Sequence, residues 1–168
     1  MAQQMPGEIR IGRQALTLLE RLLAAAAPEE GCGLLLGRRR PEAGAAGSAA
    51  ALPWSVRQVW PTTNVWEPAS ERDRRFRIDP REQLHAQKWA RRHGLELLGS
   101  VHSHPSSGPQ PSATDCALAF GPTLMLIRGS VGQAAAACVG AASVGAELGC
   151  WWLDCGVEPR QLPWRMED

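Results

Sequence analysis

Apolar residues recur along the chain with two different periods, and each period predicts a different kind of element. Between Arg13 and Ala27 the spacing is helical, because the apolar positions fall on one stripe at Leu16, Leu19, Leu23 and Ala26. This stripe predicts an amphipathic helix. Pro28 cannot continue a helix, so the helix is predicted to end there.

A second helix is predicted after residue 79, where several start signals coincide. Asp79 suits the N-cap and Pro80 suits the first helical position. Glu82 lies three residues after Asp79, as in a capping box. Gly94 suits the position just beyond the end, where a left-handed backbone is common. The predicted helix therefore spans about 80–93.

Short apolar or alternating runs predict the strands of a central sheet. These runs are 8–12, 32–36, 54–60, 95–101, 123–127, 134–139 and 146–153, with a hairpin across 128–133. A further helix is predicted from Ser112 to Phe120. Because strands and helices interleave, the predicted class is α/β (mixed α+β), with a central sheet flanked by helices.

The chain length of 168 residues predicts one domain, 1–168, with a core at about 8–155. Small residues fill 41–52, which predicts a flexible surface loop. The polar, arginine-rich segment 65–75 is expected to be a mobile surface loop. The tail 158–168 is expected to fray or to pack as a short arm.

Composition excludes several classes of function. Hydrophobic residues make up 44% of the chain, and 18 basic residues against 17 acidic ones give a net charge of +1. No clustered basic excess indicates a nucleic-acid partner, and no apolar run approaches the ~20 residues that span a bilayer. Five scattered cysteines and the absence of a signal-peptide pattern predict reduced thiols in the cytoplasm. The oligomeric state stays open, with a homodimer among the options.

The stretch 99–115 carries most of the groups that can perform chemistry. His102 and His104 are two residues apart on a predicted strand, so their side chains project from the same face. After a turn-rich loop, Ser112 opens the next helix with Asp115 in its first turn. Two imidazoles and a carboxylate are the ligands of a catalytic zinc site that leaves a fourth position for water. Taken alone, Ser-x-x-Asp is a helix-capping pattern, and that interpretation stays open beside the chemical one.

The motif His102-Ser-His104, seven residues, Ser112, two residues, Asp115 resembles the signature of the JAMM (MPN-plus) zinc metalloproteases. The upstream run Glu30-Gly-Cys-Gly-Leu-Leu is similar to the glutamate motif of their prokaryotic members. The resemblance covers about 8–155, including Asn64, 76–80 and 97–102. It implies one MPN/JAMM domain with a sheet like that of cytidine deaminases.

The resemblance also implies a role for each motif residue. His102, His104 and Asp115 would hold one zinc ion per chain. Glu30 would be the general base, and Ser112 would donate a hydrogen bond to the developing oxyanion. From the residues alone, Glu29 and Glu30 are equivalent candidates at the entrance of a buried strand, and only the resemblance favours Glu30.

JAMM enzymes cut peptide or isopeptide bonds at the C-terminal tail of ubiquitin-like proteins. Few residues separate Asp115 from the strand at Thr123, which leaves no room for the insertion that binds ubiquitin in the deubiquitinating members. The chain therefore resembles the compact prokaryotic type. The implied partner is a ubiquitin-like or sulfur-carrier protein with a Gly-Gly tail, which could lie extended beside a sheet edge.

Three other functions compete with this hypothesis. The first is a non-catalytic scaffold of the same fold, which the complete ligand motif disfavours. The second is a peptidase that acts on other peptides. The third is a zinc deaminase, which would require His-x-Glu and Pro-Cys-x-x-Cys, and neither motif is present.

Overall fold

The computed structural model describes residues 4–39, 52–130 and 146–168. The elements in chain order are β1 (Ile9–Gly12), α1 (Arg13–Ala26), β2 (Cys32–Arg38), β3 (Trp54–Thr62), a 3-10 turn (Ala69–Glu71), α2 (Pro80–Arg92), β4 (Glu96–His104), α3 (Ala113–Ala117), β5 (Thr123–Ser130), β6 (Ala146–Asp154), β7 (Val157–Gln161) and β8 (Trp164–Glu167). Within these ranges, eight strands form one mixed sheet in the order β7-β6-β5-β4-β2-β3-β1-β8. The predicted mixed α+β class is confirmed.

Helices cover both faces of the sheet. Helix α1 lies on one face, where the predicted apolar stripe is confirmed because Leu19 and Leu23 are buried against Leu35, Val59 and Val101. Fully burying one such side chain contributes roughly 1.5–3 kcal/mol. Helix α2 packs Ala86 and Ala90 on the opposite face. The small alanines let this helix approach the sheet closely.

The start of α2 agrees with the sequence prediction except at one residue. The Asp79 carboxylate accepts the backbone N–H of Arg81 at 2.9 Å, and Pro80 is the first helical residue. Glu82 was expected to close a capping box, and this is wrong: its carboxylate accepts the indole N–H of Trp60 at 3.1 Å. At the other end, Gly94 has the predicted positive φ, at +66°.

The segment 65–75, expected to be mobile, is anchored by the side chain of Asn64. The amide nitrogen of Asn64 donates to the carbonyls of Glu30 and Arg75, at 3.1 and 2.8 Å. Its amide oxygen accepts the backbone N–H groups of Trp66 and Arg77, at 3.0 and 3.2 Å. One buried side chain therefore ties both ends of this segment to the start of β2.

Several expectations concern residues outside the described ranges. The loop 41–52 lies outside them except for residue 52, and so do the predicted strand 134–139 and the second half of the hairpin 128–133. Within the described ranges, no helix has the length and apolar character to cross a membrane. Cys32, Cys116, Cys150 and Cys155 are free thiols.

The C-terminal tail is part of the sheet: of the two expected outcomes it packs rather than frays, and it does so as a paired strand. Strand β8 pairs in parallel with β1, with Ile9 opposite Trp164. The indole N–H of Trp164 donates to the Leu148 carbonyl at 3.0 Å, and its ring packs against the main core. The sequence did not reveal this strand, because charged residues occupy alternate positions in it. One of them, Arg165, lies on the polar side of the strand, and its Nε pairs with Glu8 Oε1 at 3.0 Å.

We expect Trp164→Ala to lower the free energy of unfolding by about 2 kcal/mol. The loss is smaller than the ~3–5 kcal/mol of a fully buried tryptophan, because this ring is half-exposed. Arg165→Ala on the same strand is the control, with an expected loss below about 1 kcal/mol. Urea unfolding curves would measure both, and equal losses for the two variants would contradict the role given to Trp164.

Candidate metal centre

The two histidines lie at the carboxyl end of β4, inside the sheet. β4 pairs with β2 on one side and β5 on the other, so that His102 lies opposite both Cys32 and Ile127. His102 is completely buried and His104 is 5% exposed. Their side chains point to the same face, as predicted, with the two Nε2 atoms 3.0 Å apart. The ring of Phe76 stacks on His102 at a centroid distance of 4.3 Å.

Asp115 reaches this pair from the first turn of α3. The Oγ of Ser112 accepts the Asp115 N–H at 3.1 Å, and Asp115 Oδ2 accepts the Ser112 N–H and Oγ–H, each at 2.7 Å. The capping box is therefore present. Asp115 Oδ1 lies 3.4 Å from His102 Nε2, and Oδ2 lies 3.4 Å from His104 Nε2. The same carboxylate caps the helix and faces both imidazoles.

The spacing and chemistry of these donors fit a small cation of the zinc type. Tetrahedral ligands at ~2.0–2.1 Å from a zinc ion lie about 3.3 Å from one another. Here the two Nε2 atoms are 3.0 Å apart and each lies 3.4 Å from one of the two Asp115 oxygens, and one ligand atom from each residue lies within 4.8 Å of the others. His104 Nδ1 lies 2.9 Å from the Gly108 carbonyl, so a neutral ring donates there and directs the lone pair of Nε2 into the site. His102, His104 and Asp115 can therefore hold a metal ion.

The electrostatics of the metal-free site favour the metal-binding protonation state at His102 and Asp115. Burial lowers the pKa of His102, which keeps that ring neutral. Burial alone would raise the pKa of Asp115, but hydrogen bonds from His102, His104 and Ser112 hold it well below its usual range. A neutral imidazole and an ionised carboxylate are the forms that a cation requires. At His104 burial alone would lower the pKa, but hydrogen bonds to Asp115 and to the Gly108 carbonyl raise it, so a cation must displace a proton there.

Glu30 lies at the edge of this site, immediately before β2. It is 4% exposed, and its Oε1 lies 3.9 Å from His104 Nε2. Burial raises the pKa of this carboxyl to about 7, although the neighbouring His104 opposes the shift. Glu29 is half-exposed. The tertiary structure thus distinguishes two glutamates that are equivalent in local sequence.

Two polar residues hold the backbone of Glu30 and Gly31 in place, a role that the sequence did not reveal although the resemblance includes Asn64. Ser103, between the histidines, is buried and its Oγ accepts the Gly31 N–H at 2.9 Å, while its own N–H donates to the Gly31 carbonyl at 3.0 Å. Asn64 binds the Glu30 carbonyl, as described above. The only local signal was the polar Ser103 in the buried part of β4. Its hydrogen-bond partner, Gly31, is too distant in sequence for a local pattern to reveal.

A cavity of about 540 Å³ opens beside Asp115. Its apolar wall includes Leu34, Phe76, Leu97, Leu118, Phe120 and Met125, and Arg74, Arg75 and Arg77 line its rim. Phe120 is 88% exposed and Leu118 is 47% exposed. Large apolar side chains in contact with water beside a buried polar site are typical of a binding surface.

A mixed sheet between helices, with a buried His-His-Asp group at the end of a central strand, defines an α+β domain with a candidate metal site. A family model of prokaryotic homologs of the JAB domain matches residues 13–152. This chain belongs to that family, which confirms the predicted membership.

Two solved structures are similar to this chain over nearly its whole length. The solution structure of protein DSY2949 from Desulfitobacterium hafniense is 26% identical with a TM-score of 0.72, covering 95% of this chain and 93% of that one. The solution structure of a protein from Salinibacter ruber is 25% identical with a TM-score of 0.58, covering 95% and 92%. No curated protein matches the chain.

Proposed function

We propose that this protein is a zinc-dependent metallopeptidase. It hydrolyses a peptide or isopeptide bond at the C-terminal Gly-Gly tail of a ubiquitin-like or sulfur-carrier protein. The observation that carries the proposal is the convergence of three buried ligands with a fourth group, the Glu30 carboxylate, 3.9 Å from His104. Three protein ligands that leave a fourth position for water are typical of catalytic zinc sites, and a carboxyl beside that position can act as the base.

Each residue of the site has a distinct task in this mechanism. His102, His104 and Asp115 would hold the zinc ion, and a bound zinc would lower the pKa of water toward ~7 and polarise the scissile carbonyl. Glu30 accepts a proton from the attacking water and passes it to the leaving amine. Burial brings the pKa of the metal-free carboxyl to about 7, and a bound cation would lower it, so the carboxylate form that accepts a proton would predominate at neutral pH.

Ser112 combines a structural and a chemical task. Its hydroxyl donates to Asp115 Oδ2, while its backbone N–H donates to the same oxygen. When the hydroxyl rotates toward the substrate to stabilise the developing oxyanion, the backbone N–H continues to hold the carboxylate. Donors of this type contribute roughly 2.7–4 kcal/mol at well-studied sites.

The backbone around the cavity suggests where an extended tail binds. β4 is paired on both sides, and β7 and β8 are the sheet edges in the described part of the chain, so neither edge is at the ligand cluster. The cavity is instead bordered by Phe76, whose backbone N–H and carbonyl bond to no other described residue. A diglycine tail laid alongside this segment pairs by main-chain hydrogen bonds.

Hydrolysis of a carrier fusion tests the proposed activity. Zinc-loaded protein is incubated with small ubiquitin-like carriers that each carry a short peptide after Gly-Gly, and intact-mass spectrometry reads the products. We expect a carrier that ends in a free diglycine. No cleavage across several carriers, with cleavage of unrelated peptides instead, would favour the alternative of a peptidase with other substrates.

We expect Phe120→Ser to raise KM about 10–100-fold without changing kcat, because the ring loses ~1.5–3 kcal/mol of apolar contact with the substrate protein. The exposed ring contributes little to folding, so Tm stays the same. Val157→Ser is the control, since Val157 is 62% exposed on β7 and is not part of the cavity wall. Equal KM values for the two variants would contradict a docking role for Phe120.

The chief alternative from another class is a non-catalytic scaffold with the same fold. Elemental analysis of purified protein separates the two, because the enzyme hypothesis predicts one zinc ion per chain at a site that depends on Asp115. The intact set of Glu30 and the three ligands favours the enzyme.

A further inference from the structure

The loop between His104 and Ser112 packs directly against two glycines of neighbouring strands, Gly129 on β5 and Gly149 on β6. Gly129 is opposite His104 on β5, and a Cβ there would lie 2.5 Å from the Pro109 nitrogen and 2.6 Å from the Gly108 carbonyl carbon. A Cβ at Gly149 on β6 would overlap the Pro109 carbonyl oxygen. Real Cβ atoms do not approach other atoms so closely, so both positions require glycine for this loop path.

Hydrogen bonds hold the loop on that glycine surface from both sides of Gly108. The indole N–H of Trp151 donates to the Pro109 carbonyl at 2.7 Å. On the other side, the backbone N–H of Ser130 donates to the Ser107 carbonyl at 2.8 Å. Gly108 lies between these two anchors, and its carbonyl is therefore held 2.9 Å from His104 Nδ1.

We propose that Trp151 is a positioning residue for His104. With Gly129 and Gly149, it holds the Gly108 carbonyl against Nδ1, so that Nδ1 carries the proton and the lone pair of Nε2 points at the metal. Without this carbonyl the neutral ring can adopt the other tautomer, with the proton on Nε2. A proton on Nε2 leaves no lone pair for the metal. The inference rests on the proposed zinc site and is independent of which bond the enzyme cuts.

The Trp151 ring has a second, purely structural contact that the test must separate from this role. It packs in the cluster of Ala119, Met125, Ile127 and Leu153. Trp151→Phe retains an aromatic ring for that packing and removes the N–H that reaches Pro109. Trp164→Phe is the matched control, because it removes an indole N–H that donates to a backbone carbonyl elsewhere in the same sheet, at Leu148.

Two measurements test the proposal. The first is the imidazole nitrogen spectrum of metal-free protein at mildly alkaline pH, where we expect His104 in the Nδ1–H form in wild type and a mixture of both forms in Trp151→Phe. The second is zinc affinity by chelator competition, where we expect Trp151→Phe to lose ~10–100-fold, the usual effect of losing a ligand's outer partner. Gly149→Ala should lose at least as much, and Trp164→Phe nothing.

The outcomes separate this inference from the proposed function. An Nε2–H tautomer in wild type, or wild-type zinc affinity in Trp151→Phe, overturns the positioning role and leaves the zinc site standing. If wild-type protein binds no zinc, the proposed function fails, and the tautomer measurement still decides the role of Trp151. If Trp151→Phe does not fold, Gly149→Ala and the wild-type spectrum carry the test.

Discussion

Glu30→Ala is expected to reduce hydrolysis by roughly 10²–10⁴-fold, the range that a positioned general base contributes. The protein should still bind one zinc ion per chain, because Glu30 lies 3.9 Å from His104 and outside the group of three ligands. Single-turnover cleavage of a carrier fusion measures the rate, and elemental analysis measures the bound zinc.

Glu29→Ala is the matched control, since it removes the adjacent carboxylate from a half-exposed position. It should retain the wild-type rate. If Glu29→Ala lost activity while Glu30→Ala kept it, the assignment of the base would be wrong. If both variants kept wild-type rates, neither Glu29 nor Glu30 would be the general base.

Asp115→Asn is expected to reduce zinc affinity by more than the ~100-fold that loss of an outer partner can cost. The substitution removes the negative charge that faces His102 and His104. An asparagine side-chain oxygen can still accept the N–H and hydroxyl of Ser112, so the cap of α3 should survive. Chelator competition gives the affinity, and the circular dichroism spectrum should stay unchanged.

Ser112→Ala is the complementary variant: it keeps the candidate metal ligand Asp115 and removes the proposed oxyanion donor. It removes the hydroxyl but leaves the Ser112 backbone N–H on Asp115 Oδ2, so we expect zinc to remain bound while kcat falls. Weak zinc binding in Ser112→Ala together with full zinc affinity in Asp115→Asn would show that Asp115 is only a helix cap.

The grouping of the three candidate ligands was predictable because its signals are local in the sequence. His102 and His104 are two residues apart on a strand, and Ser112 and Asp115 are three apart at a helix start. Strand alternation and capping geometry are short-range properties, so they place these side chains without knowledge of the rest of the fold. The same reasoning located α1, the start of α2 and Gly94.

Other features depend on partners that no local pattern reveals. The tail was expected to fray or to pack as a short arm, and no local pattern predicted strand β8, which pairs with β1 and places Trp164 opposite Ile9, 155 residues earlier. Glu82 was expected to cap its own helix, yet it binds Trp60. In both cases a tertiary contact outweighs a weak local preference.

The sequence by itself determined the mixed α+β class, the three metal-ligand candidates and the resemblance to a zinc hydrolase. The residues alone left Glu29 and Glu30 equivalent and the resemblance favoured Glu30, but only the tertiary structure buries Glu30 beside the histidines. There Asn64 binds the Glu30 carbonyl across 34 residues, and Ser103 binds the adjacent Gly31 N–H across 72. Only the tertiary structure also connected Trp151 to His104 through Pro109 and Gly108. The reason is physical: burial and hydrogen bonding between distant segments set the pKa of a carboxyl and the tautomer of an imidazole, and local periodicity encodes neither.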